Sequence, residues 1–328
     1  MARCAMGVDI GGTNVKLVVI DEKGAIYLKD SVSTPQDPDP KTLVDNIIRP
    51  ARAFKQRAEK EGFALEGVGI TVPHFYVGDD WVQQQTNNMP SIEGFPMRPQ
   101  LAEAFGDSIR MINDLSAAGI AEYMFGAGQG CDRMLLMAIG TGIATSVVTE
   151  RQGLVHYSWD TTGDTGQIIV DPYGLADCTC GGRGCLEAVA SARAIRARAL
   201  REVERGKQTI LAEVFEREGD LESRDVAEAA EAGDAVAQDI MDQVGFFLGV
   251  ALTSYMHIFH PSLIVLGGGV GMAGDLLIRP IRQVMNRLGS PWYLADLQDI
   301  VVSSLGTDAG AIGCASLILY PDKCQYRG

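Results

Sequence analysis

Short apolar runs broken by glycine-bearing turns set the rhythm of the first residues. Met6 to Ile10 is apolar apart from Asp9, Gly11-Gly12-Thr13 interrupts it, Val15 to Ile20 is mostly apolar, and Asp21 to Gly24 turns again. That order predicts a β-hairpin or meander. Lys41 to Gly62 changes period, with Leu43, Ile47, Ile48, Ala51 and Phe54 on one helical stripe. Val68 to Val72 predicts a buried strand ahead of Pro73, and the polar, proline-punctuated stretch Gln83 to Pro99 predicts loop. Ile109 to Ile112 is a strand that runs through Asn113-Asp114 into a helix, Ser116 to Phe125. A second strand–turn–strand follows: Met134 to Ile139, Gly140-Thr141-Gly142, Ala144 to Thr149. Ala188 to Glu204, Asp234 to His260 and Ala309 to Leu319 have helical spacing, and Leu263 to Leu266 predicts a strand ending in Gly267-Gly268-Gly269.

The two strand–turn–strand units, around Asp9-Ile10-Gly11-Gly12-Thr13 and Ile139-Gly140-Thr141-Gly142, form a weak internal repeat. They predict two similar halves, each with a mixed sheet. A length of 328 residues suits two domains better than one. A hydrophobic share of 46% is enough for a sizeable core in each.

Charge narrows the partners. A net charge of -14 repels phosphate backbones, which disfavours nucleic acid but leaves room for an anionic ligand cradled by backbone amides. Seven scattered cysteines form no dense disulfide framework, so reduced thiols and a cytoplasmic location are expected. Strand-like sequence from Met6 leaves no room for a signal peptide. Val244 to Gly274 lacks Asp, Glu, Lys and Arg, yet Thr253, Ser254, His257, His260, Pro261 and the glycine run interrupt it. A spanning helix wants about 20 predominantly apolar residues, so a buried helix is expected and no membrane partner.

Glycines between buried strands let a ligand approach the backbone, and free N–H groups there suit phosphate oxygens. Thr13 and Thr141 add hydroxyl donors, and Asp9 can hold a metal ion through water. Either turn alone could be an ordinary hairpin turn; the pair on matched frames favours phosphate. Gly267-Gly268-Gly269 offers a wall without side chains for a flat ring, or simply a strand-to-helix turn. Asp114 at a strand end can act as a base or cap the helix that follows. His257 and His260 suit the C-terminal carbonyls of their helix, and the run Arg201 to Asp225 reads as a solvated face or loop.

These turns resemble the phosphate 1, phosphate 2 and adenosine motifs of the sugar kinase and actin superfamily. Within it, Cys178-Thr179-Cys180-Gly181-Gly182-Arg183-Gly184-Cys185-Leu186-Glu187 resembles the CxCGxxGCxE signature of the ROK family (repressors, open reading frames and sugar kinases). The resemblance runs from Asp9 to about Gly310. It implies an α/β, two-domain ribonuclease-H-like (actin-like ATPase) fold with an inter-domain cleft. Residues 1–120 would form the N-terminal domain, with a C-terminal helix 309–328 packing back on it, and 121–308 the larger one. The implied activity is ATP-dependent phosphorylation of a hydroxyl of a sugar or sugar-like polyol, with ATP and Mg2+ as cofactors and a homodimer or homotetramer as the assembly.

Carried over residue by residue, the resemblance makes Asp114 the catalytic base and Asn88, Asn113, Asp164, Gln167 and Glu187 the substrate ligands. Asp9, Gly11, Gly12, Thr13, Gly140, Thr141, Gly142, Gly267, Gly268 and Gly269 are implied to hold the nucleotide. Cys178, Cys180 and Cys185 suit Zn2+, which favours thiolates. The family's fourth ligand is the His of a Glu-x-Gly-His segment, which here reads Asp164-Thr165-Gly166-Gln167. Either water or His156 completes the site, or the thiols are metal-free. In the loop Asn88 to Pro96, Ile92 stands where the family carries an aromatic, and Ser116 where relatives commonly carry Asn. The transfer machinery is thus retained while the sugar pocket is altered.

Two alternatives accompany the kinase: a sugar-sensing ROK-type regulator and a catalytically silent sugar-binding protein. A regulator's winged helix-turn-helix needs roughly 60 to 80 residues before the first phosphate motif, and eight residues precede Asp9. Retention of Asp9, Asn113 and Asp114 argues against the silent protein.

Overall fold

The computed structural model describes residues 2–72, 75–77, 82–84, 92, 94–157, 162–174 and 176–321. Asn88, His74, Cys324 and the end of the 309–328 segment lie outside the described residues.

The chain opens with β1 (Cys4–Ile10), β2 (Asn14–Asp21) and β3 (Ile26–Ser33), followed by α1 (Pro40–Lys60) and β4 (Leu65–Val72). A short antiparallel ribbon, β5 (Phe75–Val77) with β6 (Val82–Gln84), precedes α2 (Met97–Phe105), β7 (Ile109–Asn113) and α3 (Asp114–Phe125). One five-stranded sheet has the order β3-β2-β1-β4-β7. β1 is antiparallel to β2 and parallel to β4, and β4 is parallel to β7. Near-continuous burial along β1 and β4 is what strands covered on both faces require.

Next come β8 (Arg133–Ile139), β9 (Ile143–Thr149), β10 (Gly153–Val155), α4 (Leu186–Ala190), α5 (Ala192–Glu204), α6 (Ile210–Glu218), α7 (Ser223–Glu231) and α8 (Ala235–Phe259). The rest is β11 (Leu263–Gly267), α9 (Gly268–Gly271), α10 (Asp275–Leu288), α11 (Pro291–Leu294), β12 (Asp299–Val302) and α12 (Ala309–Leu319). The second five-stranded sheet has the order β10-β9-β8-β11-β12, so the strands following each glycine turn take corresponding places. Two α/β sheets of matching order give the ribonuclease-H-like, actin-like ATPase architecture.

The chain divides into two compact units, one of 1–130, 148–162 and 305–328, the other of 131–147 and 163–304. This division differs from the expected cuts at 120 and 308, for local reasons. α3 continues past residue 120 until Gly126 stops it. Residues 148–162 join the first unit, where β10 packs on α3. The fully buried Glu122 of α3 accepts the Leu305 N–H at 2.9 Å, which draws the chain back in before α12 starts.

Other differences also have physical causes. α2 begins at Met97, inside the expected loop, because Pro99 sits in the first helical turn, where a missing N–H costs nothing. The expected helix Ala188 to Glu204 breaks at Ser191, whose extended backbone ends α4 and whose hydroxyl caps α5 through Ala194 N–H. The Arg201 to Asp225 run contains α6 and the start of α7.

α8 is the one described helix long and apolar enough to cross a membrane. Here Ile240, Met241, Val244, Leu248 and Leu252 are buried, and Gly245 and Gly249 face Pro280 and Val284 of α10. α12 packs on β1, β2, β4, β7 and α3. The approach is backbone to backbone: an added Cβ at Gly7 would stand 2.0 Å from the Ala311 carbonyl oxygen, and one at Gly69 1.8 Å from that of Cys314.

Candidate active site

In the first unit, the β1–β2 turn brings Asp9, Gly11, Gly12 and Thr13 together. Gly11 N–H donates to Asn14 O at 3.0 Å. Thr34 braces the turn twice, donating its N–H to Thr13 O (2.8 Å) and its hydroxyl to Gly11 O (2.6 Å). Asp9 is fixed by Thr71, a wholly buried polar residue on the neighbouring β4. The Thr71 hydroxyl accepts Ile10 N–H at 3.0 Å and therefore directs its own proton to Asp9 Oδ1, at 2.6 Å. Burial raises the Asp9 carboxyl above its ordinary range, against the pull of Thr71 and Lys16.

Asp114 stands where β7 passes into α3. The helix cap is Asn113, whose Oδ1 accepts Leu115 N–H (3.0 Å) and Ser116 N–H (3.2 Å); Asp114 is the first helical residue. The alternative role of Asp114 as the cap therefore falls to its neighbour. Asp114 Oδ1 accepts Leu115 N–H at 2.8 Å. Water reaches this side chain, but surrounding protein desolvates the carboxyl. That crowding first, and the Asp9 charge second, push it up to about 6. A strand-end carboxylate with a value near the working pH suits a general base.

The second unit carries the other residues. Gly140 N–H donates to Gly142 O at 2.9 Å, and Ala192 N–H at the start of α5 donates to Gly140 O at 2.8 Å. Glu187, in the first turn of α4, lies against this turn: a Cβ on Gly142 would come within 2.5 Å of its Oε2. Oε2 accepts Ile143 N–H at 3.0 Å, while Oε1 accepts the Thr179 hydroxyl at 3.2 Å and Arg193 Nη2 at 2.8 Å. Asp164 has its carboxyl raised, by burial and then by the Glu187 charge. Two carboxylates and a glycine turn thus share one end of this unit. At Gly267-Gly268-Gly269, Gly268 takes φ +74 with Ile139 backbone close behind it, and a Cβ on Gly269 would meet nothing within 4 Å. Gly268 and Gly269 are open to solvent.

The three cysteines converge, with Sγ atoms all within 4.8 Å of one another and Cys180 Sγ 3.7 Å from Cys185 Sγ. Thiolates about 2.3 Å from one tetrahedral zinc stand about 3.8 Å apart, so the donor set fits that ion. Burial and the neighbouring thiols push Cys185 up to about 12, while Gly182 N–H lowers Cys180. Gln167 Oε1 accepts the Cys178 thiol at 3.0 Å, at the open corner of the trio. His156 belongs to the other compact unit.

The structure therefore groups Asp9, Gly11, Gly12, Thr13, Asn113 and Asp114 in one unit. It groups Gly140, Thr141, Gly142, Asp164, Gln167, the cysteines, Glu187 and the 267–269 glycines in the other. Sequence reasoning missed Thr34, Thr71, Thr179 and Arg193. Only Thr71, a lone hydroxyl in an apolar strand, carried a signal.

The ROK family model matches residues 5–320. A glucokinase of Thermotoga maritima is 34% identical over 322 residues, covering 95% of this chain and 96% of its own. The crystal structure of a ROK family glucokinase from Streptomyces griseus, in complex with glucose and AMPPNP, is 30% identical with a TM-score of 0.76, covering 96% of this chain and 98% of that one. A ROK family transcriptional regulator, a homologue of the E. coli MLC protein, superposes with a TM-score of 0.88 at 24% identity, over 99% of this chain and 80% of its own. That last likeness carries the fold alone.

Proposed function

This chain belongs to the ROK family, and on that premise we propose that it transfers the γ-phosphoryl group of ATP to a hydroxyl of a sugar or sugar-like polyol. The observation that carries the reading is Asp114, a strand-end carboxyl raised to about 6 close to the fixed carboxylate of Asp9. Asp114 takes the hydroxyl proton as the sugar oxygen bonds to the γ-phosphorus and the bond to the ADP oxygen breaks. Mg2+, when bound, would neutralise the charge that develops on the phosphates. Asp9 is the residue that would hold its water shell, and the Gly11-Gly12-Thr13 and Gly140-Thr141-Gly142 turns offer N–H and hydroxyl donors to the phosphates. Asp164 and Glu187 accept sugar hydroxyls. We place the protein in the cytoplasm as a homodimer or homotetramer.

The test is ADP release, coupled to a reporter enzyme, over glucose, glucosamine, fructose and myo-inositol. Turnover on at least one supports the reading. Nucleotide-independent sugar binding with no turnover on any would favour the regulator or the silent binder instead.

The altered segment sets substrate preference. Asp164 withdraws a carboxylate by one methylene relative to Glu, and the Gln167 amide oxygen is engaged by Cys178. A pocket built to pair a hydroxyl rejects ligands that leave its groups unpaired. Glucose should lose one or two hydrogen bonds, each worth about 1 kcal/mol or somewhat more when charged. The preferred substrate therefore differs from glucose at position 1 or 2. Asp164→Glu with Gln167→His should raise the kcat/KM of glucose relative to the best substrate of the panel. A wild-type enzyme that already prefers glucose to all the others would sink the idea.

Zinc belongs to the same reading: Cys178, Cys180 and Cys185 would be its ligands, with water or His156 in the fourth place. Protein made with zinc in the medium and purified without chelator should contain about one zinc per chain. Elemental analysis below about 0.2 per chain would remove zinc from the account.

A further inference from the structure

We infer that Arg193 is a positioning residue for sugar recognition, because one guanidinium ties the Glu187 carboxylate to the Gly140-Thr141-Gly142 turn. Arg193 Nε donates to Thr141 O at 2.9 Å, and Nη2 donates to Glu187 Oε1 at 2.8 Å and reaches Thr179 Oγ1 at 3.4 Å. The rigid guanidinium fork suits this span, since it can serve a carbonyl and a carboxylate at once in one plane. The chain delivers it there by the break at Ser191. α5 restarts at Ala192, whose N–H is anchored on Gly140 O at 2.8 Å, so Arg193 emerges beside the turn.

The consequence for recognition lies in Glu187. A carboxylate offers about four acceptor sites. Ile143 N–H, the Thr179 hydroxyl and Arg193 occupy three. A sugar hydroxyl then meets a carboxylate fixed in both position and rotation, with a single direction left to accept it. Arg193 also sets a positive charge against Glu187, whose own charge, after burial, raises the Asp164 carboxyl. Arg193 itself is half exposed, and its side chain reaches solvent rather than the core. Its removal leaves the nearly buried Glu187 carboxylate without a cation, still held by Ile143 N–H and the Thr179 hydroxyl.

The inference rests on the reading of Glu187 as a sugar ligand, and its test separates the two. Sugar affinity is measured by calorimetry without nucleotide, using whichever of glucose, glucosamine, fructose and myo-inositol gives the highest turnover. Arg193→Ala should weaken binding by about 10- to 100-fold, the range for a charged hydrogen bond. Arg193→Lys, which keeps the charge but not the planar fork, should fall between. kcat at saturating sugar should change far less than KM. Glu187→Gln should weaken binding on its own, and adding Arg193→Ala to it should cost little more, because the two act through one contact.

A merely structural role would give additive losses and a lower active fraction at unchanged KM. If Arg193→Ala misfolds, Arg193→Lys carries the same cycle. An Arg193→Ala affinity within twofold of wild type, or full additivity with Glu187→Gln, overturns the inference while leaving the kinase intact. Unchanged binding in Glu187→Gln overturns the reading beneath it, and the inference with it.

Discussion

Asp114→Asn should reduce turnover by about 10²–10⁴-fold, the contribution of a positioned general base, with the fold intact. Asparagine keeps an Oδ1 that can accept Leu115 N–H, and the cap of α3 is Asn113, so the helix start does not depend on the charge. The charge in fact opposes folding near neutrality. The folded-state carboxyl is raised from 3.8 to about 6, so the stability linked to it is fully present at acid pH and is lost as pH rises through about 6. The variant has no such loss. Its melting temperature at pH 7.5 should equal or exceed that of wild type, and the difference should close at acid pH. The same raised value gives wild type its acid limb: kcat/KM for the sugar should fall about tenfold per pH unit below about pH 6. Stopped assays on the best substrate, from pH 5 to 8, measure both effects. Near-wild-type turnover in the variant would leave Asp114 a helix residue and nothing more.

The second large effect is on stability. Gly69→Ala places a methyl group 1.8 Å from the carbonyl oxygen and 2.2 Å from the carbonyl carbon of Cys314, both backbone atoms of α12. No side-chain rotation relieves such a contact; the helix has to move off the sheet. Gly7 against Ala311 and Gly313 against Ala117, the latter 1.8 Å from a carbonyl oxygen, resist that movement. Overpacking a core costs about 1–3 kcal/mol and more where backbone must shift, so a loss of at least about 3 kcal/mol is expected, a large share of a usual total of 5–15. Activity should suffer as well, since Gly310 in the first turn of α12 lies against Asp9, within 2.9 Å of it for an added Cβ. Thermal melting of the two proteins decides it. A shift of less than about 2 °C would mean that α12 yields without resistance.

What could be read from the sequence was whatever a local pattern encodes. α1 announces itself by its apolar stripe, and the first hairpin by two apolar runs around glycines. α10 did not, because Pro280 and the arginines interleaved among Leu277, Ile281, Val284 and Met285 blur its period. The break at Ser191 depends on one hydroxyl bonding Ala194 N–H, a choice that helical spacing on either side conceals. At the site, Asp9, Asp114 and the glycine turns were legible through their chemistry and through the resemblance. Arg193 was not, and Thr71 showed only as a lone hydroxyl, since their partners, Thr141 for Arg193 and Asp9 for Thr71, lie far away in sequence. Asp164 and Gln167 stood out as departures from a pattern, and the contact of Gln167 with Cys178 gives that departure a physical form.

The seating of α12 on Gly7 and Gly69 also orders events during synthesis. The second unit, 163–304 with 131–147, is complete in the nascent chain before residue 305 is made, whereas the first unit waits for 305 onwards. The backbone of α12 that lies against Gly7 and Gly69 on β1 and β4 belongs to that late segment. Its seating joins residues from opposite ends of the sequence, the kind of long-range contact that makes folding slow. When residue 304 has been made, the half that carries the cysteine loop has all of its residues, while the half that carries Asp9 and Asp114 still lacks α12.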